Sequence, residues 1–170
     1  MAHYFIFPEK DTTLYSHPDR SKMNAGHDEI LELVKEKGSS DQNHHPSRIL
    51  ISFSNEEINT AISLMGHDKF TSSISEVKLQ LTNADTKNLT STHVINAYAV
   101  SQSWTEGTGK YLNLPTGSNG ASWTYRDNST TATPWTGSGT STNWFGDSGA
   151  TGSISQSVLE QGGGTWYTGS

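Results

Sequence analysis

Apolar residues come in short runs along this chain, and their spacing switches between two periods. Arg48-Ile49-Leu50-Ile51-Ser52-Phe53 is the strongest strand signal, β-branched and bounded by Pro46 and by Ser54-Asn55. Tyr4 to Phe7 and Thr12 to Tyr15 read as two short strands, broken by Pro8-Glu9-Lys10-Asp11 and stopped by a turn at His17-Pro18-Asp19. Asn24-Ala25-Gly26 reads as a turn before Glu29 to Lys35, where Leu31 and Leu33 alternate with Glu32; that favours a strand over a short helix. Val77-Lys78-Leu79-Gln80-Leu81 alternates strictly and Val94 to Val100 continues as another strand, across the turn-rich Asn83 to Asn88. These two pair, with one face buried and one wet.

One segment carries the other period. Ile58, Ile62 and Met65 recur at helical spacing between a Ser54 or Asn55 cap and Gly66, with Glu56 and Glu57 in the first turn, so 55–65 is predicted as a helix.

Composition supports strands. Of 170 residues, 31% are hydrophobic and 16% charged, and Ser, Thr, Asn and Gly make up the difference. A helical bundle needs more Ala, Leu, Glu and Lys, and charge-driven disorder needs more than a net charge of -6. From Ser101 to Ser170 the chain holds 13 of its 16 glycines and all five tryptophans, with only Lys110 and Arg126 as bases. Indoles spaced every ten to twenty positions favour loops pinned onto a sandwich edge over a solvated linker. The fold class expected is all-β, an antiparallel β-sandwich with one short helix and long Gly/Ser/Trp-rich loops. Residues 1–135 form the sandwich domain, and 136–170 continue it as a Gly/Ser/Thr-rich loop and C-terminal segment.

Charge and cysteine count narrow the function. Eleven basic against seventeen acidic residues supply no cationic field for phosphates or anionic lipid, so neither nucleic acid nor membrane is an expected partner. Zero cysteines remove disulfides, thiolate metal sites and cysteine nucleophiles. The start Met1-Ala2-His3-Tyr4-Phe5-Ile6-Phe7-Pro8 lacks the basic flank and long apolar run of a signal peptide, so synthesis without a signal peptide in a cytoplasm is expected.

Four pieces carry a family resemblance: Asn24-Ala25-Gly26 leading into Ile30-Leu31-Glu32-Leu33; Arg48 to Phe53; Val77 to Leu81; and Trp104-Thr105-Glu106-Gly107-Thr108-Gly109 with the later Gly120-Ala121-Ser122-Trp123-Thr124-Tyr125-Arg126-Asp127. Together, over residues 1 to about 135, they resemble the DNRLRE-type jelly-roll β-sandwich modules of bacterial surface proteins and of virion proteins of T4-like tailed phages, marine ones among them. The resemblance implies a jelly-roll and a structural virion protein, of tail, baseplate, neck or fibre rather than capsid decoration. It implies other virion proteins and copies of itself as partners. Such modules close with further strands after this region, and no apolar run follows Leu159 here, so the expectation is a sandwich completed by a neighbouring protomer or by further sequence, or a smaller one.

Candidate chemistry is sparse. Gly146-Asp147-Ser148-Gly149 matches a protease nucleophile segment, but Ala150-Thr151 follows and no segment supplies a base, so it reads as a turn. His44 and His45 point to opposite faces of a strand and do not share a metal; no metal site is expected, and Asp19, Asn24 and Asp28, with Glu29, are weak calcium candidates. No cofactor is expected. Trp135, Trp144 and Trp166, with Asp127, are the residues for contact with a carbohydrate or a partner, and Trp104, Glu106, Trp123 and Tyr125 those that pack loops onto the sandwich. Glu106 is expected to bond backbone amides of its own Gly-rich loop; with Asp127 it would serve as a glycosidase pair only inside a cleft. The leading expectation is a non-catalytic assembly protein. The alternative is a carbohydrate-binding module touching cell-surface glycan.

Overall fold

The computed structural model describes residues 3–38, 44–66, 77–85, 95, 97, 100, 102–112 and 119–135. Trp144, Ser148, Trp166 and most of Val94 to Val100 lie outside the described residues. The chain divides into two compact units, one of Met1–Lys10 with Ile51–Ile95, the other of Asp11–Leu50 with Asn96–Ser170.

Among the described residues the regular elements are five strands and one helix: β1 Pro8–Tyr15, β2 Lys35–Lys37, β3 His44–Phe53, α1 Asn55–Met65, β4 Tyr125–Asp127 and β5 Thr133–Pro134. The described residues are thus β-rich with one short helix. A three-stranded sheet has the order β1-β3-β2, and β4 pairs with β5 in a second, two-stranded one. β2 runs antiparallel to β3 with Lys35 opposite Pro46, Glu36 opposite His45 and Lys37 opposite His44.

The sheet buries both faces in the second unit. Leu14 and Leu50 join Trp104, Ala121, Trp123 and Trp135 in one core, with Val100 packed against it. The Arg48 guanidinium lies 4.4 Å over the Trp123 ring. The alternate residues Thr13, Tyr15, His45 and Ser47 are buried on the opposite face. Residues 32–34 cover that face through one backbone bond, Ser47 N donating to the Val34 carbonyl at 2.8 Å, and otherwise through side chains. Glu32 N donates to Thr13 Oγ1 at 3.0 Å, and Ser47 Oγ accepts from Val34 N at 2.8 Å while donating to the Glu32 carbonyl at 2.5 Å.

This explains a first correction. The strand expected from Glu29 to Lys35 is confined to Lys35–Lys37, because the Thr13 and Ser47 side chains take the Glu32 and Val34 N–H groups and the Glu32 carbonyl that a ladder would use. A second concerns β1, which includes the Pro8 to Asp11 stretch expected as a break. Proline is tolerated as a first strand residue, where no N–H is needed. Tyr4 to Phe7, expected as a strand, has no regular structure, and Phe5 and Phe7 are exposed.

β3 also extends beyond the predicted boundary at Pro46, starting at His44. The Pro46 carbonyl accepts from Ser16 N at 3.1 Å, just past the end of β1. The missing N–H faces that same side, where the ladder stops, so it costs little.

In the first unit, α1 is capped as expected, Ser54 Oγ accepting from Glu57 N at 3.5 Å. Ala61 is buried, with Ile58, Ile62 and Met65 half-buried on the same face. Val77 to Leu81 corrects a further expectation: it forms no strand, and Val77, Leu79 and Leu81 are 79%, 53% and 53% exposed. An alternating pattern directs a strand only where a partner strand meets it.

Candidate functional site

Asn24 organises the loops of the second unit. Its side chain is fully buried; Oδ1 accepts from Gly26 N at 3.2 Å and Gly109 N at 2.8 Å, and Nδ2 donates to the carbonyls of Glu106 at 2.6 Å and Ala121 at 2.8 Å. All its hydrogen-bonding capacity is used. The packing demands glycine at two contacts. A Cβ on Gly26 would overlap the Glu106 carbonyl, and one on Gly107, at φ +81°, would overlap the Asn24 amide.

The same junction aims Glu106. Its Oε1 accepts the Asp11 backbone N–H at 2.9 Å, so it caps the edge of β1 and not, as expected, amides of its own loop. The Asp11 carboxyl is raised above its usual value, first by burial and then by the neighbouring Glu106 charge.

Trp104 and Trp123 are buried in the core. Tyr125 is half-buried and donates its N–H to Ser122 Oγ at 3.1 Å. Trp135, expected to meet a sugar or partner, is 1% exposed and donates its indole N–H to the Ser122 carbonyl at 3.0 Å. Its ring is occupied by the protein's own core, so no face is open for stacking. Asp127 accepts from Ser129 N at 2.8 Å and Ser129 Oγ at 2.6 Å, bonds that hold its carboxyl below the usual range.

The calcium candidates serve the fold. Asn24 is saturated, both Asp28 oxygens accept from Tyr111 N at 3.1 and 3.2 Å, and Asp19 Oδ2 lies 3.8 Å from His17 Nδ1. Among the described residues no three of His, Asp and Glu gather as a metal ion requires. His44 is exposed while His45 is buried, and the His45 ring meets the His17 ring edge-on at 5.0 Å.

A groove of about 270 Å³ in the second unit is lined by Asp28, Glu29, Ile30, Glu32, Lys110, Tyr111 and Leu112. Its wall is held from behind. The Tyr15 hydroxyl donates to Glu32 Oε2 at 2.7 Å, and burial, reinforced by Glu32, pushes that phenol far above its ordinary value. The Tyr15 ring meets Tyr111 at 5.0 Å, and the Arg20 guanidinium sits 4.9 Å over the Tyr111 ring while pairing with Glu36. Sequence reasoning named Asp28 and Glu29 here for another role and missed Lys110, Tyr111 and Leu112. Their only signal is a cationic, aromatic and aliphatic triplet in an otherwise polar stretch. The arrangement suits binding, with carboxylates, one ammonium and exposed aliphatic rims side by side.

Set against protein-family models, curated proteins and solved structures, the chain finds no match in any of the three comparisons.

Proposed function

We propose that this chain is a non-catalytic structural component of a tailed-phage virion, of tail, baseplate, neck or fibre, acting through protein–protein assembly with other virion proteins and copies of itself. The observation that carries the assembly reading is the uncovered apolar surface of the first unit. Among its described residues Ala61 is the one buried hydrophobic, whereas Tyr4, Phe5, Phe7, Leu64, Val77, Leu79, Leu81 and Ile95 are exposed. Fully burying one such side chain is worth about 1.5–3 kcal/mol. Burying most of them against a neighbour offsets an association cost of about 4–15 kcal/mol.

Assembly by these side chains suits the sheet, whose edges are blunted against strand addition. β2 is three residues long and reads Lys-Glu-Lys, and on β1 the Asp11 N–H is taken by Glu106. The virion assignment rests on the resemblance of the Trp104 and Trp123 segments to the DNRLRE-type modules, and the jelly-roll arrangement belongs to the same proposal. Both tryptophans being core residues is in keeping with it. Glycan binding is the weaker reading, since Trp135 is buried.

Sedimentation velocity on the purified chain, with immunogold labelling of tailed-phage particles whose genome encodes the chain, tests this. Association beyond the 18.5 kDa monomer and label on the tail are expected. A cooperatively folding monomer that labels no particle would end the proposal.

A further inference from the structure

The groove between residues 28–32 and 110–112 has a composition that selects its occupant. Three carboxylates, Asp28, Glu29 and Glu32, face one ammonium, Lys110, and the rims are the exposed Ile30, 58%, and Leu112, 81%. At about 270 Å³ the groove falls below the roughly 300–1,000 Å³ of pockets that enclose a drug-sized molecule, so it accommodates a side chain or two.

The carboxylates are positioned before any ligand arrives. The Tyr111 N–H fixes Asp28, and the Tyr15 hydroxyl fixes Glu32. Among the described residues Glu29 is tied to Lys110, at 3.6 Å, with its side chain 88% exposed, so this contact yields readily to a competing cation. The lining therefore offers two uncompensated negative charges between apolar rims.

We propose that this groove docks a cationic segment of a partner virion protein, in which a lysine or arginine is flanked by aliphatic residues. The inference rests on the assembly reading and names the partner's chemistry. The cation meets Glu29 and Glu32 while its flanking aliphatics cover Ile30 and Leu112, and electrostatic complementarity sets the register. A second copy of the chain is a poorer occupant of this groove, because self-association is assigned to the exposed apolar side chains of the first unit.

The test is fluorescence anisotropy of the full chain with a labelled short peptide of alternating leucine and lysine, against its leucine and glutamate counterpart. The lysine peptide is expected to bind at least about tenfold more tightly, a difference that added salt reduces. Glu29→Lys and Leu112→Ser change exposed side chains and leave the fold intact; each is expected to weaken the lysine peptide about five- to tenfold. Glu57→Lys, the same charge change on α1, should leave it unaltered. Equal binding of the two peptides, or Glu57→Lys weakening binding as much as Glu29→Lys, overturns the proposal. So does self-association abolished by Glu29→Lys and Leu112→Ser. If the chain assembles in sedimentation but ignores the lysine peptide, only the groove proposal fails; if it remains a monomer and labels no particle, the assembly reading fails on its own.

Discussion

Glu106 accepts the backbone N–H of Asp11 at 2.9 Å, joining a glycine-rich loop to the edge of β1 across 95 residues. The Asp11 carboxyl is raised from its ordinary value of 3.8, first by its partial burial and then by the Glu106 carboxylate that this contact brings beside it. A carboxyl held above its ordinary value is penalised when ionised. The penalty is absent below 3.8 and complete above the raised folded value, so this group makes the protein less stable as pH rises through that window. Asp11→Asn is expected to raise the Tm at pH 7, with the gain shrinking to nothing in the acid range. Thermal melts across pH check it, and an unchanged or lowered Tm at pH 7 would count against it.

Asn24 ties its own turn to the loops holding Glu106, Gly109 and Ala121. Asn24→Ala leaves two buried carbonyls and two N–H groups without their partner. At about 1–3 kcal/mol per unsatisfied buried group, partly relieved by water, a loss of about 3 kcal/mol or more is expected in urea unfolding. A loss under about 1 kcal/mol would show that the loops hold without it.

Thr12 lies fully buried on the face of β1 that carries Leu14, and its Oγ1 has no hydrogen-bond partner among the described residues. Valine has the same shape without the hydroxyl. Thr12→Val is therefore expected to stabilise by about 1 kcal/mol, measured as a shift of the urea midpoint at constant slope. Destabilisation would mean that the hydroxyl is satisfied.

Tyr15 behaves oppositely to a surface phenol. Its folded value lies above its ordinary 10.0, so the native state holds the proton more tightly than the unfolded chain does, and stability falls as pH rises past 10. Tyr15→Phe forfeits the bond to the exposed Glu32, costing about 1 kcal/mol at neutral pH, but it should be less sensitive to alkali. Parallel melts of the two proteins from pH 8 to 11 compare the slopes; identical slopes would contradict the burial argument.

The local signals were sufficient for α1 and for the centre of β3. Ser54, the two first-turn glutamates and the spacing of Ile58, Ile62 and Met65 specify a helix within one stretch of chain, and Ile49-Leu50-Ile51 is β-branched throughout most of its length. Val77 to Leu81 shows the limit. Its alternation is as regular as that of any strand, yet pairing depends on where another segment lies, which no local pattern contains.

Sequence alone determined a β-rich chain with one helix, the want of cationic and thiol chemistry, and a core fed by tryptophans. Tertiary structure decided where Trp135 goes: it closes the core, and Ser122, thirteen residues away, offers a carbonyl to its indole. It also assembled the groove, joining Asp28 to Tyr111 and Glu32 to Tyr15 through bonds spanning 83 and 17 residues. Those contacts follow from loop closure around Asn24, and a hydrogen bond between distant residues leaves no periodicity in either segment that makes it.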